Sequence, residues 1–294
     1  SHQAISPPLS LAGEPVMRVI VVGAGLAGLS ATESLAAAGV DVILLEAGHR
    51  FGGRTRTVSD GYINGQYAES GAEWVDSIHW RMRDLMQRFG IKPLGQPMPW
   101  TTIRRWLYWD QAFYTAENIA ALSPGVFRAI EKYEALADSP ASGVQDPSRP
   151  DLHPEAAYLD SISVADLITQ SGLDPVGQLF AGRDSQGEFA SDPENVSSLF
   201  VAQQRAFENS EVVKQGIELL SQRVAGGTGQ IAISLGKQLQ DSPRITINFG
   251  TRLVAVEQDD SGVVVTADGP DGQEIWQADA LVLACSLVPL REGI

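Results

Sequence analysis

Cysteine is almost absent from these 294 residues: Cys285 stands alone in the apolar run Ala280-Leu281-Val282-Leu283-Ala284-Cys285. No intrachain disulfide can therefore form. Histidine is scarce as well. His2, His49, His79 and His153 lie far apart, without the spacing that gathers ligands around a zinc ion, and no metal site is expected. Lysine occurs only at Lys92, Lys132, Lys214 and Lys237. Cations are outnumbered, with 21 Lys and Arg against 36 Asp and Glu and a formal net charge of −15. That balance disfavours nucleic acid or an anionic membrane as a partner, because both repel an acidic surface. No apolar stretch approaches the roughly 20 residues that span a bilayer. Residues 1–15 read as a polar, proline-bearing leader without a signal-peptide core. A soluble protein is expected, in the cytoplasm, with export left open.

What is present is glycine in chosen places. Val16 to Val22 is a short apolar run that leads straight into Gly23-Ala24-Gly25-Leu26-Ala27-Gly28. Leu26 to Ala38 then has helical spacing and ends at Gly39, a natural C-cap. Val40 to Leu45 is a second β-branched run, stopping at Glu46, 18 residues beyond Gly28. Strand, glycine turn, helix and strand predict a right-handed βαβ crossover with a parallel pair. A lone GxGxxG is weak, but this one follows a strand, opens a helix and is followed by an acidic residue. Gly23 permits the tight turn, Gly25 lets the backbone approach a pyrophosphate, and Gly28 lets the helix pack closely on the strand. Ala27 lies in the same turn. The helix N-terminus offers free N–H groups to the diphosphate, and Glu46 can accept hydrogen bonds from ribose hydroxyls.

The rest of the chain divides by pattern. From Ser77 to about residue 220 the reading is mostly helical, with helices at His79–Phe89, Ser163–Ser171 and around 196–220 and a long loop at 138–153. The end turns to β, at Ile245–Phe249, 252–258, 263–267 and 274–284. The fold class expected is α/β: a Rossmann-like dinucleotide domain, parallel sheet with an added antiparallel element, plus an inserted, mostly helical substrate domain. Its boundaries are expected at 16–76 and 221–294 for the dinucleotide domain and 77–220 for the insertion.

Directly after Glu46 comes Ala47-Gly48-His49-Arg50-Phe51-Gly52-Gly53-Arg54. Two adjacent glycines flanked by Arg50 and Arg54 provide a second close backbone approach, with cations beside the same diphosphate, which a NAD site does not need. Here the sequence resembles the flavin-dependent amine oxidase family, which includes monoamine, polyamine and L-amino-acid oxidases. The resemblance implies FAD as cofactor and Glu46, Ala47, Arg50, Gly53 and Arg54 among its contacts. Tyr67-Ala68-Glu69-Ser70-Gly71-Ala72-Glu73-Trp74-Val75 looks like the family segment whose backbone passes the isoalloxazine ring, which brings in Gly71, Ala72, Glu73 and Trp74. Gly226-Gly227-Thr228-Gly229-Gln230-Ile231 looks like the glycine turn of the returning helix, although such turns are common structure. Arg252 to Glu257 looks like the strand whose backbone, at Val254, pairs with the adenine edge; Val254 can equally be core.

The chemistry the resemblance implies is oxidation of an amine or amino acid to an imine, then hydrolysis to a carbonyl compound and ammonia or a smaller amine. Dioxygen is reduced to hydrogen peroxide. The cofactor carries the hard chemistry, so no catalytic triad is required and no catalytic residue is assigned. L-amino-acid oxidases of the snake-venom type carry Met-Arg where this chain has Ala72-Glu73, so a substrate carboxylate held there is disfavoured. Glu73 can attract an amine, or it can bond to backbone or a nearby arginine, and Arg81 and Arg83 keep amino-acid oxidation open. The aromatic block Trp100, Trp106, Tyr108, Trp109, Phe113 and Tyr114 reads as core packing rather than a substrate cage, and His79 as a structural hydrogen-bonder. An FAD-dependent desaturase or protoporphyrinogen-type oxidase, and a flavin-binding fragment without chemistry of its own, are the alternatives.

Family members continue where this chain stops, with a lysine near flavin N5, an aromatic cage and a last glycine motif; none of the four lysines here has a matching context. A complementary C-terminal polypeptide is therefore expected as a partner, or else a shortened chain. An oligomer is also expected.

Overall fold

The computed structural model describes residues 16–99, 107–109, 111–208, 210 and 220–291. Trp100, Trp106 and Lys214 lie outside them. Contacts gather the described residues into two compact units, one within 1–98 and 220–294 and the other within 99–219.

Numbered within the first unit, the elements begin with β1 (Arg18–Val22), α1 (Leu26–Ala37) and β2 (Asp41–Glu46). Short strands β3 (Thr57–Val58), β4 (Ala68–Glu69) and β5 (Trp74–Asp76) lead to α2 (Trp80–Arg88) and β6 (Pro93–Pro99). The chain returns as β7 (Leu220–Val224), α3 (Gly229–Gln240) and β8 (Ile245–Phe249). An antiparallel meander of β9 (Arg252–Asp259), β10 (Gly262–Gly269) and β11 (Gly272–Ala278) follows, then β12 (Ala280–Leu283).

Four strands form a parallel sheet in the order β8-β2-β1-β12. Its central strands are apolar over Val19–Val22 and Val42–Leu45, where both faces are covered. Val19, Val21, Val42 and Leu44 pack on one side against Leu29 of α1 and Leu235 of α3. Ile20, Val22, Ile43 and Leu45 pack on the other against Leu253, Val265 and Trp276 of the meander. Each such side chain contributes about 1.5–3 kcal/mol by burial, so two strands from one short sequence anchor three layers.

The strand expected at 274–284 is two strands in two sheets. Asp279 makes the break: its carboxylate accepts from the Arg18 N–H at 2.6 Å, and its own N–H donates to the Arg18 carbonyl at 3.0 Å. This pair of bonds ends the meander and starts β12 beside β1. Helix α2, within the segment read as helical insertion, packs in the first unit through Met86 on Val75, Val224 and Ile231. Arg88 at its end donates to Glu33 of α1 at 2.5 Å and to Gln238 of α3 at 2.6 Å, joining the three helices.

The second unit holds helices Ala116–Leu122, Val126–Asp138, Ala156–Ser161, Val164–Ser171, Pro175–Phe189 and Ser198–Glu208, and a hairpin of Leu107–Trp109 with Ala112–Tyr114. Its core gathers Tyr133, Leu167, Ile168, Leu173 and Val201. Helix starts are explicit in the sequence: Ser163 and Asp166 form a capping box, and Asp174 caps the Pro175 helix through the Gly177 N–H. The helix expected to run to about residue 220 ends at Glu208 within the described residues. The aromatic block is not uniformly core. Tyr108 and Phe113 face each other across the hairpin with ring centroids 4.8 Å apart and are 60% and 66% exposed, whereas Tyr114 packs on the Ile119 cluster. Alternation along a two-stranded hairpin puts every second ring outward.

The loop read at 138–153 is pinned by a histidine. His153 is buried; one ring nitrogen meets the Pro140 carbonyl at 3.1 Å and the other accepts from the Glu155 N–H at 2.9 Å. A Cβ on Gly143 would lie 2.1 Å from that ring. Gly143→Ala should therefore lower stability by about 1–3 kcal/mol through overpacking. Urea unfolding checks it, and an unchanged midpoint contradicts this packing.

Candidate functional site

A cavity of about 520 Å³ opens at the carboxyl ends of β1, β2 and β12, the place where α/β sheets bind ligands. Gly23 follows β1 with φ +104°, a left-handed backbone that suits glycine. Its N–H donates to the Leu45 carbonyl at 2.8 Å, which ties the turn to β2. A Cβ on Gly28 would lie 1.8 Å from the Gly23 carbonyl oxygen, so α1 closes on its own turn only because position 28 is glycine. Gly25 is different. It caps α1 without a side-chain hydrogen bond, the first turn carries no acidic residue, and a Cβ there would meet nothing within 4 Å. The helix N-terminus thus presents its donors to open space in the cavity, which is what a bound diphosphate requires.

The second glycine pair docks on the first turn. The Gly52 N–H donates to the Ala24 carbonyl at 2.9 Å, and a Cβ on Gly53 would approach Gly25 Cα at 3.4 Å. Gly53, Arg54 and Thr55 form the cavity wall there. Glu46 holds both turns. One carboxylate oxygen accepts from the Ala24 N–H and the other from the Gly48 N–H, each at 2.7 Å. Each oxygen keeps a further acceptor position, so the carboxylate can fix the turn and still receive ribose hydroxyls. Arg50 donates to the Phe51 and Gly53 carbonyls at 3.2 and 2.7 Å, bracing the glycine arm from outside the main cavity. These features fit the ADP half of FAD.

Beyond Arg54 the wall is supported from behind. A Cβ on Gly71 would fall 1.9 Å from the Arg54 carbonyl oxygen, to which the Ala72 N–H donates at 2.9 Å. Glu69 accepts from Thr57 Oγ1 at 2.8 Å and from the Thr228 N–H at 2.7 Å. Thr57 Oγ1 in turn accepts from the Gly229 N–H at 3.0 Å. The N-terminus of α3 is thus occupied by a carboxylate of the chain itself, while that of α1 is open.

Of the residues expected at the site, Gly23, Gly25, Ala27, Glu46, Ala47, Gly53 and Arg54 line the cavity. Gly28 and Arg50 lie behind it as supports, and Gly71, Ala72, Glu73 and Trp74 are outside its lining. Glu73 is paired with Arg223, whose guanidinium also lies 5.1 Å from the Trp74 ring centre. Arg83 donates to the Ser77 carbonyl at 3.1 Å, Arg81 lies over Trp80, and His79 accepts from the Asp76 N–H at 3.0 Å. Val254 is the extra residue of a β-bulge: Leu253 faces Ala267 and Ala255 faces Thr266, with no residue opposite Val254. Sequence reasoning missed Thr251, Leu253, Ala284, Cys285 and Ser286 in the lining. A signal existed for the last three, which follow a strand that lies beside β1.

Among the described residues no group of His, Cys, Asp and Glu is placed to hold a metal ion, and no helix is long and apolar enough to cross a membrane.

The profile of the family described as flavin containing amine oxidoreductase matches residues 26–292. An L-amino acid dehydrogenase of Synechocystis sp. is 26% identical over 282 residues, covering 89% of this chain and 55% of the relative. A putrescine oxidase of Kocuria rosea is 27% identical over 226 residues, covering 75% and 46%. The structure of cyclohexylamine oxidase from Brevibacterium oxydans IH-35A superposes with a TM-score of 0.73 at 22% identity, covering 95% of this chain and 60% of that one. The chain spans about half the length of the curated relatives it matches.

The two glycines give opposite expectations. Gly25→Ala should leave unfolding by urea unchanged and weaken FAD binding at least about tenfold, roughly 1.4 kcal/mol. Gly28→Ala should abolish or strongly reduce folding itself, because its Cβ has no room. FAD titration and unfolding curves of the two variants check this pair; equal FAD affinity for Gly25→Ala and wild type contradicts the cradle.

Proposed function

We propose that this chain, which belongs to the flavin-containing amine oxidoreductase family, carries the FAD of an enzyme that oxidises an amine or amino acid to an imine. Water then converts the imine to a carbonyl compound and ammonia or a smaller amine. When bound, FAD would supply the acceptor for a hydride equivalent from the carbon beside the nitrogen, and a route by which two electrons and two protons reach dioxygen as hydrogen peroxide.

The chain's own residues bind and orient. Donors of the α1 N-terminus at Gly25–Gly28 hold the diphosphate, and Arg54 stands on the cavity wall beyond it, toward the flavin half. Glu46 and Ala47 hold the adenosine side, and the bulge at Val254 offers backbone groups to the adenine edge. Gly71 to Trp74 run beside the ring. Dehydrogenase and oxidase relatives alike carry amino acids or amines in their names, which supports the nitrogen-bearing substrate. The pairing of Glu73 with Arg223 leaves neither charge alone to choose between the two. The observation that carries the reading is the cradle of two interlocked glycine turns around Gly25.

A complementary polypeptide would extend the parallel sheet at β12. No strand lies beyond β12 among the described residues, and Leu283 is 45% exposed, an edge that invites pairing. In this reading the partner contributes the remainder of the substrate site.

The decisive experiment is peroxide release from the FAD-loaded protein at its natural length, together with any polypeptide that copurifies with it, given a panel of primary amines, polyamines and L-amino acids. Peroxide with at least one of them is expected. A flavin that no amine or amino acid bleaches, with no peroxide formed, overturns the proposal.

A further inference from the structure

Three stretches with separate sequence signatures converge on one side chain outside the cavity. Glu69 lies on β4, opposite Thr57 of β3 in the ladder. Its carboxylate takes the Thr57 hydroxyl on one oxygen and the Thr228 N–H on the other. Thr228 is 1% exposed, and its own hydroxyl donates to the Ala72 carbonyl at 2.5 Å instead of capping its helix. The N-terminal donors of α3 are therefore satisfied from elsewhere in the chain, Thr228 N–H by Glu69 and Gly229 N–H by Thr57. A negative charge at a helix N-terminus is also favoured by the helix dipole.

Glycine makes the knot tight. A Cβ on Gly227 would lie 2.1 Å from Thr57 Oγ1, so the turn before α3 rests directly on the arm that continues from Gly53, Arg54 and Thr55. That arm is the cavity wall. It is further tied to the Glu69 strand by the Ser70 N–H on the Arg56 carbonyl at 2.7 Å and the Ala72 N–H on the Arg54 carbonyl at 2.9 Å. Remove the carboxylate, and a buried helix N-terminus loses its acceptor just where it presses on that wall.

We propose that Glu69 is a positioning residue of the cofactor site. It holds the Arg54–Thr57 arm and the Gly71–Ala72 segment in register, and so orients the flavin half of FAD without touching it. This rests on the FAD reading above. With ribose at Glu46 and diphosphate at α1, the rest of the ligand leads past Gly53 to Arg54 and Thr55, the part of the wall that Glu69 supports. The adenosine half lies on residues held by Glu46 instead, so the two halves should respond differently.

The test measures ADP and FAD affinity, and the visible spectrum of bound flavin, in the protein at its natural length for wild type, Glu69→Ala, Glu69→Gln and Thr57→Val. In Glu69→Ala, ADP affinity should stay within about twofold, while FAD affinity falls at least about tenfold and the flavin bands shift. Glu69→Gln should recover most of the loss, since its amide oxygen still accepts from the Thr228 N–H. Thr57→Val keeps the shape, removes the hydroxyl, and should reproduce the alanine pattern in milder form; it carries the test if Glu69→Ala does not fold. Equal weakening of ADP and FAD marks a merely structural role and overturns the proposal, as does unchanged FAD affinity and spectrum. A wild type that binds ADP but no FAD removes the FAD reading itself, and this inference with it.

Discussion

Everything at this site depends on main chain meeting main chain where no Cβ stands between them. α1 begins directly under the Gly23 carbonyl because position 28 is glycine, and the second turn rests on the first through the Gly52 N–H and the Ala24 carbonyl. Such contacts are short, directional and indifferent to side-chain entropy. They make a rigid cradle from a segment that would otherwise be an ordinary loop. The flanking layers keep it so: β1 and β2 are buried on both faces, and the turn between them inherits their fixed spacing.

Charge is used sparingly and inward. A chain of net charge −15 would repel a diphosphate unless the local field were arranged against the average. Two glutamates do opposite work in that arrangement. Glu46 binds backbone N–H groups beside the α1 turn but leaves its helix N-terminus free. Glu69 fills the N-terminus of α3. Of two helices opened by glycine turns, one is thereby kept for an anion from outside and the other is neutralised from within, which gives the site its direction. The Glu73–Arg223 pair follows the same economy, cancelling two charges next to Trp74.

Much of this was legible in the residues. The βαβ unit, the meander turns and the two glycine arms are local patterns, and Ser163 announced its helix by a side chain that caps it, whereas the helix capped by Asp174 went unread. The aromatic block misled in part, because alternation says which rings share a face and not which face is covered: Tyr108 and Phe113 ended outward, Tyr114 inward. The run from Glu274 to Ala284 read as one strand because nothing local distinguishes a strand that changes sheets. Its break at Asp279 depends on Arg18, 261 residues away.

By itself, then, the sequence determined where the backbone could come close, since glycine at positions 23, 25, 28, 52 and 53 is a local property of each residue. It likewise determined which strands would be buried on both faces. Only the tertiary structure decided which glycines face open space and which face another carbonyl. Only it placed Ala284 to Ser286 on the cavity wall, set Val254 in a bulge, and turned Glu69 from a strand residue into the cap of a distant helix. Those outcomes rest on contacts between segments far apart in the chain, and such contacts carry no signature in the residues next to them.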